Sequence, residues 1–122
     1  MTIYTSYYAN YRNFPEGSYL IQISRTAPPT GRYDKAWNFL PTQVLLDDYK
    51  RGAITEERYA EIYTNQLELL KENEVDIMVV LEKQMQGIDT ILLCYEGKDK
   101  FCHRHLLAEW LNDKYGLDIK EL

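Results

Sequence analysis

Ile91-Leu92-Leu93 is an apolar run with no polar residue to turn outward, and a run this short and continuous reads as a strand buried in a sheet. Cys94, Tyr95 and Glu96 follow it directly, so all three leave that strand at its carboxyl end. Both cysteines and both histidines of the chain fall between Cys94 and His105. One stretch therefore combines a core strand with the side chains best suited to chemistry.

The rest of the chain supplies what such a strand requires. Thr2 to Tyr8, rich in β-branched and aromatic residues and free of breakers, reads as a first strand. Ala9 to Gly17 carries Asn10, Asn13, Pro15 and Gly17 and reads as a loop. Tyr19 to Ile23 is a second strand, and Thr26 to Tyr33, with Pro28, Pro29 and Gly31, an irregular loop. Pro41 in a first turn, the apolar Val44, Leu45 and Tyr49, and Gly52 as a stop predict a helix. A second is predicted from the N-cap Thr55, through Tyr59, Ile62, Tyr63, Leu67 and Leu70, to about Lys71. Val75, Met78, Val79 and Met85 predict a third, the alternative being a strand over Asp76 to Leu81. Leu106, Leu107, Trp110 and Leu111 mark a helix ending at Gly116, and Leu117 and Ile119 permit a short terminal strand. Strands separated by helices need crossover connections. The expected fold is α/β: a single three-layer domain over residues 1–122, with a mostly parallel sheet covered by helices.

Composition narrows the function classes. With 122 residues, 45% of them hydrophobic, one domain can bury roughly two-thirds of the surface its unfolded chain exposes. No apolar run approaches the roughly 20 residues that span a bilayer, and no leader pattern opens the chain, so a cytoplasmic protein without a membrane is expected. The formal net charge of -5 repels nucleic acid, which argues against non-specific binding to it. Two cysteines are too few for a disulfide framework, and a cytoplasmic setting keeps both reduced unless their geometry lets them pair. Eleven tyrosines, with Tyr4, Tyr7, Tyr8 and Tyr11 crowded together, suit a pocket wall, an interface or a core edge.

Leu92-Leu93-Cys94-Tyr95-Glu96, then Cys102-His103-Arg104 and Leu107-Ala108-Glu109, resembles the signature of domain-of-unknown-function family 488, a family of small microbial and viral α/β proteins. The opening Ile3-Tyr4-Thr5-Ser6-Tyr7-Tyr8-Ala9-Asn10-Tyr11-Arg12-Asn13 is similar to that of one of its branches. Members more often carry Asp-Val-Arg after the second strand. Here Ile23-Ser24-Arg25 keeps the arginine and loses the carboxylate. The resemblance implies the fold and the location of a site, and no established activity.

In an open parallel sheet, ligands bind beyond the carboxyl ends of the strands. The loops expected there carry Ser6, Tyr7, Asn10 and Arg12 after the first strand, Ser24 and Arg25 after the second, and Cys94, Tyr95 and Glu96 after the third. A helix opening at Cys102 aims its free amides at an anion, with Arg104 as a clamp. The expected ligand is a small anion, phosphate or nucleotide-like, held by Ser6, Tyr7, Asn10, Arg12, Arg25, Cys94, Tyr95 and Arg104. Glu96, Cys102 and His103 are the candidates for proton transfer or nucleophilic attack. A non-catalytic module using the same tyrosines and arginines is the other reading. No metal or cofactor is expected, because adjacent Cys102 and His103 diverge on a helix.

Overall fold

The run at the centre of the sequence is the centre of the sheet. In the computed structural model, which describes residues 2–69, 73–97 and 99–122, strand β4 (Thr90–Cys94) is buried at every position. β1 (Ile3–Tyr7) pairs with it on one side, Ile3 opposite Thr90 and Tyr7 opposite Cys94. β2 (Tyr19–Gln22) pairs on the other, Tyr19 opposite Thr90. Two short edge strands complete the sheet, β3 (Asp34–Lys35) beside β2 and β5 (Lys120–Glu121) beside β1. Every pairing is parallel, and the order is β3-β2-β4-β1-β5. The chain is thus a single α/β domain.

This order dictates what covers each face. β1 to β2 and β2 to β3 travel towards one edge, whereas β3 to β4 and β4 to β5 travel towards the other. Connections of one hand that travel in opposite directions must use opposite faces. Packing follows that division. Ile3, Ile21, Ile23, Leu92 and Cys94 meet the buried residues of four helices: α1 (Gln43–Lys50), α2 (Glu56–Leu69), α3 (Asn73–Met85) and α4 (His103–Tyr115). On the opposite face Leu20, Ile91 and Leu93 meet Tyr8, Phe14, Ala27 and Tyr33. Those residues belong to a 3-10 helix (Tyr8–Asn13) and to the loops before β2 and β3, because both connections on that face are too short for an α-helix. The third layer exists, but it is built from 3-10 helix and loop.

Local expectations hold where end-signals are strong. Thr42 caps α1 by accepting the Leu45 amide at 3.2 Å, so Pro41 lies just outside the helix and not in its first turn. Thr55 accepts the Arg58 amide at 3.1 Å at the start of α2. The expected end of α2 near Lys71 lies outside the described residues. Residues after 73 are helical, which decides between helix and strand for Asp76 to Leu81. Ile77 and Val80 bury there, while Val75, Met78 and Met85 point outward. The terminal strand begins at Lys120, later than the alternation of Leu117 and Ile119 suggested. Among the described residues, no helix is long and apolar enough to cross a membrane.

α4 ends on Gly116, whose left-handed backbone (φ 64°) lets its amide return to the Asn112 carbonyl. A Cβ at this glycine would meet no atom within 4 Å, so a side chain there costs only backbone strain. Gly116→Ala is therefore expected to lower unfolding free energy by about 1 kcal/mol in urea titration, with an unchanged slope.

Candidate functional site

β2 sends its continuation onto the loop-covered face and β4 sends its own onto the helix-covered face, so a crevice opens where their carboxyl ends part. A cleft of about 170 Å³ occupies it. Its floor comes from Ser24, Arg25 and Thr26 after β2, Tyr95 and Glu96 after β4, and Phe101, Cys102 and His103 at the start of α4. Helices α1 and α2 close the side with Gln43, Tyr49, Lys50 and Tyr59. Of the residues expected from sequence, Arg25, Tyr95, Glu96, Cys102 and His103 meet in this one cleft.

Aromatic rings line the cleft in two groups. Tyr49, Tyr59 and Phe101 stand with ring centroids 5.2 to 5.3 Å apart. Tyr95, 47% exposed, leans on Tyr8 at 4.8 Å. Behind it, the Tyr8 hydroxyl donates to Ser24 Oγ at 2.7 Å, while Ser24 Oγ donates to the Thr26 carbonyl. Burial pushes the Tyr8 phenol up to about 12, so it remains a donor at neutral pH. Arg25 is anchored by Nη1 donating to the Pro41 carbonyl at 3.1 Å, which leaves the rest of its guanidinium to the cleft. Lys50 is exposed at the opposite rim.

Arg104 does not join them. It is fully buried, and its five N–H groups are all occupied. Nε and Nη2 donate to the Glu121 carboxylate, the shorter contact being 3.0 Å. Nη1 donates to the Glu96 carbonyl at 2.6 Å and contacts Cys94 Sγ at 3.1 Å, and Nη2 also donates to the Gly97 carbonyl at 3.0 Å. No donor remains for an external anion. The expected clamp is an internal ion pair that fastens the loop after β4, and its carboxylate comes from β5.

Ser6, Tyr7, Asn10 and Arg12 lie on the far side of this pair, because β4 separates β1 from β2. Ser6 Oγ is buried and accepts from Asn10 Nδ2, which also donates to the Leu122 carbonyl. The Tyr7 ring sits 5.8 Å from the Arg104 guanidinium, and Arg12 is exposed against Tyr11. None of the four lines the cleft.

Cys94 and Cys102 are joined as a disulfide between the end of β4 and the N-cap of α4, correcting the expectation of reduced thiols. In this state Cys102 has no free thiol. His103 stands beside it, with Nδ1 3.7 Å from Cys102 Sγ. Its Nε2 is 2.5 Å from the Ile23 carbonyl, which can only accept, so Nε2 carries the proton and Nδ1 offers its lone pair towards the sulfur. Donor atoms of Cys94, Cys102 and His103 lie within 4.8 Å of one another, a set able to hold a soft cation once the sulfurs are reduced. Divergence on the helix does not separate Cys102 from His103, since Cys102 is an extended cap residue.

Burial lowers the His103 pKa to about 4, with Arg104 adding to that effect and the Ile23 hydrogen bond opposing it. An unfolded chain binds this proton near pH 6.5 and the folded chain only near pH 4, so the stabilising contribution is complete above 6.5 and is lost as pH falls between the two. Between pH 7 and pH 5 that loss is about 2 kcal/mol. His103→Gln should remove this slope from urea titrations while leaving the smaller slope due to His105, whose pKa burial also lowers.

The Arg104 and Glu121 pair gives a second expectation. Glu121→Ala leaves a buried guanidinium without its counter-charge and should cost about 3 kcal/mol or more in unfolding free energy. Glu121→Gln, which keeps an acceptor, should cost less.

A family model described as the active DUF488-N3 subclade matches residues 4–115. No curated protein and no solved structure matches the chain. The matched region takes in most of β1, all of β4, the cleft-lining residues and all four helices, and so the chain belongs to the DUF488 family, within its DUF488-N3 subclade.

Proposed function

We propose that the cleft binds a small phosphorylated, nucleotide-like ligand and acts on it. One observation carries this reading: two cationic side chains, a wall of aromatic rings and the opening of a helix line the same cleft. A phosphate suits the start of α4, where the N-cap Cys102 makes no side-chain hydrogen bond and the first-turn amides and helix dipole favour an anion. Arg25 and Lys50 flank that end, and a planar base suits the rings of Tyr49, Tyr95 and Phe101. Glu96 is the exposed carboxylate at the rim and serves as general base or acid. His103 stays neutral at pH 7 and directs Nδ1 at Cys102, so reduction of the disulfide would supply a thiol with a base beside it. The description of the family as active supports chemistry over binding alone.

A non-catalytic binding module is the second reading, and the disulfide favours it, since it removes the one strong nucleophile from the cleft. Reductant separates the two. Catalysis through Cys102 requires it, and binding does not.

The binding reading is tested by thermal shift against nucleoside 5′-monophosphates, sugar phosphates and inorganic phosphate. A ligand of the folded state raises the melting temperature in proportion to its saturation. Arg25→Ala and Lys50→Ala should each weaken the best probe about tenfold; Lys50→Ala leaves the melting temperature of the free protein unchanged because Lys50 is exposed, whereas Arg25→Ala lowers it slightly by removing the bond to the Pro41 carbonyl. A panel in which no probe shifts the wild type refutes the reading.

A further inference from the structure

Two tyrosines one turn apart on α2 face the same core and differ in a single respect. Tyr63 is fully buried, and its hydroxyl donates to the Phe39 carbonyl at 2.6 Å, which gives that hydroxyl a structural task. Tyr59 is almost as buried, at 2% exposure, with its ring held by Tyr49, Tyr63 and Phe101. Its hydroxyl makes no hydrogen bond among the described residues. It is not sealed away either, since Thr90 Oγ1 is the one side-chain polar atom among them that is both enclosed and without a partner. The Tyr59 side chain lines the cleft beside Glu96, Phe101, Cys102 and His103, so the tip of the ring is the part left facing the open space.

Phenylalanine would fill the same ring position without a polar atom. The hydroxyl adds nothing to the packing of α2 that a phenylalanine ring would not supply. We infer that the Tyr59 hydroxyl is a recognition group for the cleft's ligand, donating a hydrogen bond to an oxygen at the ring end of that ligand while the Glu96 carboxylate accepts from a neighbouring N–H or O–H. This rests on the reading of the cleft as a nucleotide-like site and adds a substrate class to it. The ligand presents a donor and an acceptor side by side, as the lactam edge of an oxo-purine or oxo-pyrimidine does. Burial and the nearby Glu96 carboxylate both raise the Tyr59 pKa, so the phenol keeps its proton at neutral pH and is available as a donor. The arrangement explains why a tyrosine that lines the cleft keeps a hydroxyl with no protein partner among the described residues. A site built to hydrogen-bond an edge group discriminates strongly against a ligand that lacks it.

The test compares Tyr59→Phe with Tyr63→Phe. Losing its bond to Phe39 should lower the melting temperature of Tyr63→Phe by roughly 4 to 8 °C. Tyr59→Phe should melt at or above the wild-type temperature. In titrations with guanosine, uridine, adenosine and cytidine 5′-monophosphates and with inorganic phosphate, the wild type should prefer the two oxo-bearing lactam bases. Tyr59→Phe should bind them about tenfold more weakly while its affinity for inorganic phosphate is unchanged. A Tyr59→Phe protein destabilised as much as Tyr63→Phe overturns the inference, since the hydroxyl then has a structural role. Unchanged nucleotide affinity in a stable Tyr59→Phe protein overturns it as well, leaving the phosphate-binding reading intact. A wild type that binds none of the probes refutes that reading and the inference with it.

Discussion

The guanidinium of Arg104 ties together pieces of chain that have no other reason to meet. It leaves the first turn of α4, passes the end of β4 and reaches the Glu121 carboxylate on β5, while two of its donors hold the Glu96 and Gly97 carbonyls. Thr5 on β1 donates its hydroxyl to the same carboxylate at 2.6 Å. Three parallel strands and a helix are thus locked by one buried, fully satisfied network, and in a low-dielectric interior such networks are effective only when every member is paired. The loop that presents Tyr95 and Glu96 to the cleft is shaped from behind by this pair. Arg104 is a positioning residue, and the cations that face a ligand are elsewhere.

The split between a helix-covered face and a loop-covered face is the second organising fact. Because β2 and β4 dismiss their chains to opposite sides, their carboxyl ends are the natural opening in an otherwise closed sheet. That opening takes its aromatic character from helices far away in sequence. Tyr49 and Tyr59 belong to apolar stripes that serve the core along most of their length, and only where the stripes pass the strand ends do they become a wall.

Much of this was legible in the sequence, for reasons that can be named. The continuous run at Ile91 to Leu93 announced the central strand, Thr55 and Gly116 marked helix ends by their chemistry, and the pattern placed Arg25, Tyr95 and Glu96 at strand ends and Cys102 and His103 at a helix start. What failed was everything that depends on which distant segment lies beside which. The partner of Arg104 is not legible, because Glu121 is a carboxylate on the short edge strand β5 with no local pattern to announce its role. Strand order cannot be read from strand count, and β4 stands between Ser6, Tyr7, Asn10 and Arg12 and the cleft. Tyr49, Lys50 and Tyr59 join the site only through the fold. A tyrosine at a stripe position where leucine would pack equally well was the available signal. The sulfurs of Cys94 and Cys102 meet because β4 ends opposite the α4 cap, a juxtaposition their spacing does not encode.

An all-parallel sheet with this order also constrains how the molecule comes into being. No strand can pair with its successor through a tight turn, and the central β4 must find β1 and β2 across most of the chain, Thr90 lying opposite both Ile3 and Tyr19. Closing such distances costs chain entropy before any contact compensates for it, which makes folding slow relative to helical proteins of equal size. The cleft, which lies at the carboxyl ends of β2 and β4, exists only once those long-range pairings are made.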